Sequence, residues 1–383
     1  RWGWNVNDKQ WVNWPDYQWR IYKNTPEIKW KNKVHEVLDG YKTMSILPRE
    51  EEFALYHPKT IDRQENKTTT MTHSRILVTG AGGLVGSQIT GNVVHITSPT
   101  GDLRDKKITE DIIKFYADKE RMGEHAVDSI IHCAGKVGGL GGNMKYKGEY
   151  LYDNVMINTN VIEAARVAGV SKLVAFLSTC IFPDRVNYPL TEDQIHNGFP
   201  HSSNYPYAYA KRLADIQIRA YREQYGLKYT SVIPTNIYGP NDNFSLEHGH
   251  VVPMLLHKMY LAMQSGEDFK VWGTGKPLRE FIYSKDVAEL AKWAVENYDE
   301  EEPIILTTSE EISIKDLVGI IAEEFNYKGN IIFEKDKPDG QFRKPSSNAK
   351  LMSYLPDFKF TPIEQGIRET VKWFIKNYDK ARK

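Results

Sequence analysis

Cysteine is scarce in this chain. Cys133 and Cys180 are its only two, too few for a disulfide framework and suited to a reducing compartment. Net charge is missing too: 50 lysines and arginines stand against 50 aspartates and glutamates. No overall field therefore draws the chain to nucleic acid or to an anionic membrane. No apolar run approaches the roughly 20 residues needed to cross a bilayer. No secretory leader shows, and the first residue is Arg1 rather than Met, as in a chain whose true start lies upstream. A cytoplasmic protein is expected, with no metal and with neither nucleic acid nor membrane as partner.

What is present changes sharply near residue 70. Six of the nine tryptophans fall in the first 30 residues, at Trp2, Trp4, Trp11, Trp14, Trp19 and Trp30. A mixed charged stretch follows, then ENKTTTMTHS, small and polar as linkers are. Residues 1–70 are expected to be a separate segment with its linker, and 71–383 a second unit. From Arg75 onward, short apolar runs (RILVTG, VVHIT, SIIHCAG, KLVAFLS, KYTSVIPTN) alternate with helix-spaced segments such as GEYLYDNVMINTNVIEAARVAGV and YAYAKRLADIQIRAYREQYG. Continuous apolar strands separated by helices predict the α/β class, with a Rossmann-type doubly wound parallel sheet mainly over 75–245. Beyond it the elements shorten, so a smaller α/β substrate-binding lobe is expected mainly over 246–383, with some returns to the sheet.

VTGAGGLVG places Gly80, Gly83 and Gly86 directly after the first strand, and the pattern predicts a helix after them. Glycines there allow a tight turn and bring backbone amides to a pyrophosphate. The next strand, VVHITSP, carries no acid at its end to hold a free ribose 2′-hydroxyl. A 2′-phosphate is thereby permitted, with Ser98, Arg104, Lys106 and Lys107 as candidate partners. Asp102 lies past the strand, where an adenine contact is expected instead.

YPYAYAKR sets Tyr207 and Lys211 four apart, on one helical face. An ammonium there is expected to lower the phenol's pKa and to bind a nicotinamide ribose. The phenol then gives a proton to a carbonyl as that carbonyl is reduced. Ser178, at the C-terminal lip of KLVAFLS, can add a second hydrogen bond to the same oxygen. Ligands of open α/β sheets bind at those strand ends. A surface tyrosine beside a solvated lysine is the blander reading of YxxxK; the glycine turn and Ser178 outweigh it.

Residues 75–383 resemble the GDP-L-fucose synthase family of extended short-chain dehydrogenase/reductases. The strings that carry the resemblance are KVGGLGGNMKY, LSTCIFP, IHNGFPHSSNYPYAYAKR, VIPTNIYGPNDNF, HGHVVPMLLHK, VWGTGKPLREFIYS and DGQFRKPSSN. It implies epimerisation of GDP-4-keto-6-deoxy-D-mannose at C3 and C5, then reduction at C4 with NADPH. Cys180 and His250 correspond to that family's two epimerising acid/base groups, and Ser178, Tyr207 and Lys211 to its reductive set. The implied NADP contacts are Gly80, Gly83, Leu84, Val85, Gly86, Ser98, Asp102, Leu103 and Lys211. Lys136–Gly138, Pro234, Thr235, Asn236, Ile237 and His250 join them on the same side. Lys258, Trp272, Arg279 and Lys344 correspond to contacts with the GDP-sugar. The resemblance also implies a homodimer through the helices containing Asn154–Ala168 and Tyr209–Tyr221. One departure is the short SQITGN between the glycine turn and the next strand, where the family has a longer helix.

Residues 1–67 resemble the C-terminal end of family 2-type glycosyltransferases without the nucleotide-sugar-binding half, so no transferase activity is expected from them. A tryptophan-rich extension packed on the reductase or on its partner is the alternative. Two other readings of the main unit compete: a related nucleotide-sugar epimerase or dehydratase of the same fold, disfavoured by Cys180 and the long matching strings, and a non-catalytic dinucleotide-binding module. A sugar-nucleotide dehydratase would need a carboxylate pair just after the Ser or Thr, where Thr179 and Cys180 stand. A non-catalytic dinucleotide-binding module would not need Ser178, Cys180, Tyr207, Lys211 and His250 together.

Overall fold

The computed structural model describes residues 75–383 other than Pro338, together with four short strands before them. The chain divides into two units, Arg1–His73 and Ser74–Lys383. In the first, Asn5–Val6 pairs antiparallel with Val12–Asn13, and Lys29–Lys31 with Val37–Asp39. The expectations for the tryptophan-rich segment and the polar linker otherwise lie outside the described residues.

In the second unit the leading elements are β1 (Arg75–Thr79), β2 (Val93–Ile96), α1 (Lys106–Ala117), β3 (Val127–His132), α2 (Lys147–Val167), β4 (Lys172–Phe176), α3 (Tyr205–Tyr225) and β5 (Lys228–Pro234). There follow β6 (Asn236–Tyr238), α4 (Val251–Ser265), β7 (Phe269–Trp272), β8 (Leu278–Tyr283), α5 (Ser284–Asn297) and β9 (Ile304–Leu306). The chain continues through β10 (Glu311–Ser313), α6 (Ile314–Glu324), β11 (Ile331–Glu334) and α7 (Ile363–Lys376).

Six parallel strands form the central sheet in the order β2-β1-β3-β4-β5-β9. Alternate residues of each strand point to opposite faces, and both faces are buried. Leu77, Ile130, Leu173 and Ile233 pack against Val161, Ile162 and Ala165 of α2 and Ile218 of α3. Ile76, Val78, Ile131, Val174 and Val232 pack against Val287, Leu290, Ala291 and Ala294 of α5. This is the doubly wound Rossmann-type fold that the continuous apolar strands predict. The order reverses between β1 and β3, so the crevice of an open α/β sheet falls at their C-terminal ends.

The smaller lobe has its own core, centred on Phe244, Leu256, Met259, Phe281, Leu317, Ile321 and Phe374. β8 lies between β6 (parallel) and β10 (antiparallel), and β7 pairs with β11. β9 returns to the large sheet, placing Ile304 opposite Val232 of β5. Buried Glu280 of β8 ties these pieces together. Its carboxylate accepts hydrogen bonds from Ser346 N (2.8 Å) and Thr307 Oγ1 (3.1 Å), and its carbonyl accepts from Asn236 Nδ2 (2.8 Å).

One expectation changes. The helix predicted after the glycine triplet is a single 3-10 turn, Gly86–Gln88. Only Ser87–Asn92 separates that triplet from β2, and Gly91 must reverse the chain with φ +112°. Two helical turns do not fit, so this turn offers backbone amides without a long helix's dipole. Its glycines are sterically required. Gly80 has φ +68°, and a Cβ there would lie 2.7 Å from Ala134 N; one on Gly86 would lie 2.5 Å from Gly80 O. Gly80→Ala is expected to cost about 1–3 kcal/mol from the left-handed backbone alone. Urea unfolding should show a lower midpoint at unchanged slope; an unchanged midpoint would mean that β1 and β3 can separate freely there.

Candidate active site

β4 ends at Phe176, and Ser178 continues in extended backbone (φ −162°) before the 3-10 turn Thr179–Ile181. Ser178 Oγ accepts a hydrogen bond from Cys180 N at 3.3 Å. Two cations hold the same turn from opposite directions. Lys344, from the smaller lobe, donates to Thr179 O (2.8 Å), and Arg212 of α3 donates through Nε to Ile181 O (2.7 Å). The thiol therefore sits on a tightly held lip. Its sulfur receives Asn204 Nδ2 at 3.0 Å.

α3 supplies two further candidate groups. Tyr207 and Lys211 share its buried face, 6% and 3% exposed. Lys211 Nζ donates to Phe176 O at 2.7 Å, locking the helix to the end of β4. Burial pushes the Lys211 ammonium down to about 8, opposed by the neighbouring Cys133 thiol. The Tyr207 phenol moves the other way from expectation. Burial raises it well above the usual tyrosine range, Cys180 and Tyr150 add to the rise, and a hydrogen bond with Ser178 opposes it. Removal of the phenol from water outweighs any help from Lys211, whose ammonium is directed at a carbonyl. Cys133 packs against the core as a small hydrophobe, its thiol pushed up to about 12 by burial.

Behind Lys211 runs a buried chain of hydrogen bonds. His132 Nδ1 meets Thr79 Oγ1 at 2.7 Å, His132 Nε2 meets Asn158 Oδ1 at 3.1 Å, and Asn158 Nδ2 donates to Ala210 O at 3.4 Å. The end of β1, β3, α2 and the Lys211 turn of α3 are thus joined.

Most cofactor candidates follow the C-terminal ends of parallel strands: Gly80–Gly86 after β1, Ser98–Leu103 after β2, Lys136–Gly138 after β3 and Thr235–Ile237 after β5. Gly83 N donates to Gly80 O at 2.9 Å, closing the turn that also holds Leu84, Val85 and Gly86. Beside it, a Cβ on Gly135 would lie 3.0 Å from Asn154 Oδ1 and 3.6 Å from Lys211 Nζ. A backbone cradle with no room for side chains, ending at a buried ammonium, fits a dinucleotide. Ser98 is exposed just past β2. Asp102 is held by Arg104, which also reaches Asp153 at 3.1 Å, while Leu103 is buried in the core. Lys106 and Lys107 pair with Glu110 and Asp111, so the candidate 2′-phosphate cations are all engaged with carboxylates. Pro234, Thr235, Asn236 and Ile237 join β5 to β6, with Thr235 N bonded to Leu306 O. Lys136 N donates to Asn154 Oδ1, Lys136 Nζ bridges Glu149 and Asp153, and Gly138 lies against Tyr150. His250 stands immediately before α4. As a whole residue it is exposed, yet burial of the imidazole holds it below its ordinary range.

The substrate candidates form two pairs. Lys258 Nζ lies 5.0 Å from the ring centre of Trp272, which is 61% exposed. Arg279 and Lys344 are near enough for their charges to repel. Burial lowers all three cations, and none forms a salt bridge among the described residues. Half-buried cations outside any salt bridge are what a diphosphate recruits. Among the described residues no cluster of His, Cys, Asp or Glu is placed to hold a metal, and no helix is long and apolar enough to cross a membrane.

Asn204, Arg212, Asn154 and His132 were not singled out by sequence. Asn204 had a signal that pointed elsewhere. An Asn just before a helix ordinarily caps it, but here the side chain makes no capping bond and turns to Cys180.

The fold, the glycine turn and the Ser–Tyr–Lys set coincide with a family match. The chain belongs to the NAD dependent epimerase/dehydratase family, whose model matches residues 76–307. Within it, the chain is similar to the GDP-L-fucose synthase of Dictyostelium discoideum, 48% identical over 82% of this chain and 100% of the relative. It is also similar to the GDP-L-fucose synthase of Escherichia coli K12, at 34% over 82% and 100%. A crystal structure of a GDP-L-fucose synthetase from Naegleria fowleri bound to NADP superposes with a TM-score of 0.76 at 45% identity, covering 82% of this chain and 96% of that one.

His132 gives a pH test of the buried chain. Its imidazole is pushed down to about 3, first by burial, then by Lys211, against the bond to Asn158. The unfolded chain takes up a proton near pH 6.5 that the folded one refuses, so stability falls as pH drops from there towards 3. Nitrogen NMR should find His132 neutral at pH 5; a charged ring at that pH would dismantle the buried network.

Proposed function

We propose that this chain is an NADP-dependent epimerase-reductase that converts GDP-4-keto-6-deoxy-D-mannose to GDP-L-fucose. One observation carries the reading: a thiol, Cys180, stands on the same pinned lip as Ser178, within the charge field of Tyr207. The C4 ketone acidifies its neighbours C3 and C5, and a thiol there can move protons where a dehydratase would need a carboxylate. The similarity to GDP-L-fucose synthases over four fifths of the chain supports it.

NADPH, when bound, supplies the hydride that reduces C4. Gly80–Gly86 and Lys211 would hold it, and the absence of an acid at the end of β2 leaves space for its 2′-phosphate. Ser178 and Tyr207 hydrogen-bond the C4 oxygen and stabilise the enolate formed when C3 or C5 loses its proton. Cys180 works on one face of the sugar and His250 on the other, since inversion removes a proton from one side and returns it on the opposite one. Tyr207 gives its proton to the C4 oxygen at reduction; a phenol with a raised pKa is held protonated for that task. Lys258, Arg279 and Lys344 neutralise the GDP diphosphate, with Trp272 as an apolar wall.

The test is NADPH consumption with GDP-4-keto-6-deoxy-D-mannose and none with GDP-mannose. Cys180→Ala should slow epimerisation by about 10²–10⁴-fold and release a 6-deoxyhexose other than L-fucose. Tyr207→Phe should stop NADPH oxidation while C3 and C5 still exchange with deuterium. Normal GDP-L-fucose yield from Cys180→Ala, read by NMR of the product sugar, would refute the reading.

Residues 71–383 are proposed to act as the working unit, in the cytoplasm, where two free thiols stay reduced. A homodimer is proposed through α2 and α3, whose outer faces expose Leu151, Tyr209, Leu213 and Ile216 around a groove of about 330 Å³. Exposed apolar surface of this kind favours a second copy. Deleting residues 1–70 should therefore leave activity intact and a dimer in sedimentation. A folded but inactive or monomeric product would show that the first segment is integral.

A further inference from the structure

Asn204 is tied to the chemistry more closely than any motif suggests. Its Nδ2 lies 3.0 Å from Cys180 Sγ, it does not cap the helix it precedes, and its Oδ1 is buried without a partner among the described residues. A buried amide oxygen left unpaired is destabilising. Turning the amide over would not cure this: Oδ1 would face the sulfur, able to accept only from its S–H, and the NH2 group would take the unpaired position. The local rule would have spent this side chain on the helix N-terminus. Instead the fold spends it on the thiol.

We propose that Asn204 is a positioning residue that selects the protonation state of Cys180, favouring the thiolate so that this residue enters as the base. The inference rests on the reading of Cys180 as an epimerising group. An N–H donor strengthens towards a charged acceptor more than towards a neutral one. Asn204 therefore stabilises sulfur before it has taken the proton and loses that stabilisation afterwards. In the step served, the C–H bond at C3 or C5 breaks and an S–H bond forms. The electron pair passes into the enolate, whose oxygen Ser178 and Tyr207 hold. The weakened contact to the neutral thiol then favours return of a proton to solvent or sugar. Lys344, bonded to Thr179 O beside the thiol, adds a positive charge that favours the same state.

The test uses the full chain with Asn204→Ala and the near-isosteric Asn204→Asp. The first readout needs no substrate: the pH dependence of Cys180 alkylation by iodoacetamide, followed by peptide mass. The midpoint should move to higher pH in Asn204→Ala and further in Asn204→Asp, where a carboxylate faces the sulfur. The second readout is deuterium wash-in at C3 and C5, expected to fall about tenfold or more at pH 7 and to recover as pH rises. NADPH binding should stay unchanged in both, which marks a folded cofactor site. Alkylation profiles that superpose on the wild type would overturn the proposal, as would loss of wash-in that alkaline pH does not restore. If the wild type shows no wash-in, the epimerase reading fails, while the alkylation series still decides the role of Asn204.

Discussion

The bond from Lys211 Nζ to Phe176 O, 2.7 Å long and fully enclosed, is what the rest of the site hangs on. It joins the middle of α3 to the last residue of β4. Once that point is fixed, the helical repeat dictates the rest. Tyr207, one turn earlier on the same face, comes to Ser178 just past the strand. Arg212, the next residue, reaches the carbonyl of Ile181 on the far side of the thiol's turn. A buried cation is costly unless bonded, and the lowered proton affinity of Lys211 is the mark of that cost. The Thr79–His132–Asn158 chain stands behind it in uncharged form, which keeps a second positive charge away from the ammonium.

Much of this was legible in the residues. The apolar runs gave the strands of the large sheet, and their lack of polar alternation revealed burial on both faces. Four-residue spacing put Tyr207 and Lys211 together, and the strand end placed Ser178. What failed to show depended on contacts between distant segments or on dehydration. Asn204 meets Cys180 across 24 positions and Lys344 meets Thr179 across 165, and no local pattern encodes either. The shortened turn after Gly86 was visible as six residues, yet the glycine spacing argued for a helix more strongly than the count argued against it. The phenol's pKa was misjudged because sequence shows a nearby ammonium but not the loss of water around the ring.

A net charge of zero also concealed a division of labour. Around the rim of the large sheet the cations are spoken for: Arg104 and Lys136 share Asp153, and Lys106 and Lys107 each have an acid four positions on. In the smaller lobe Lys258, Arg279 and Lys344 are half-buried and form no salt bridge among the described residues. Charge balance over the whole molecule leaves no overall field for a large polyanion, yet three half-buried cations outside any salt bridge remain for a compact one. The distinction lies in placement, which a sum over residues cannot carry.

The return of β9 to the large sheet has a consequence for how the molecule is made. β5 is complete at Pro234, but the strand that covers its outer edge arrives only later, with Leu306 O accepting from Thr235 N across 71 positions. At about 5–20 residues per second, a ribosome leaves that edge bare for about 4–14 s. A bare, apolar strand edge is a template for pairing with other chains. The lobe inserted between β5 and β9 thus sets a window of vulnerability on the growing polypeptide. The large sheet cannot be finished until much of the smaller lobe has been synthesised.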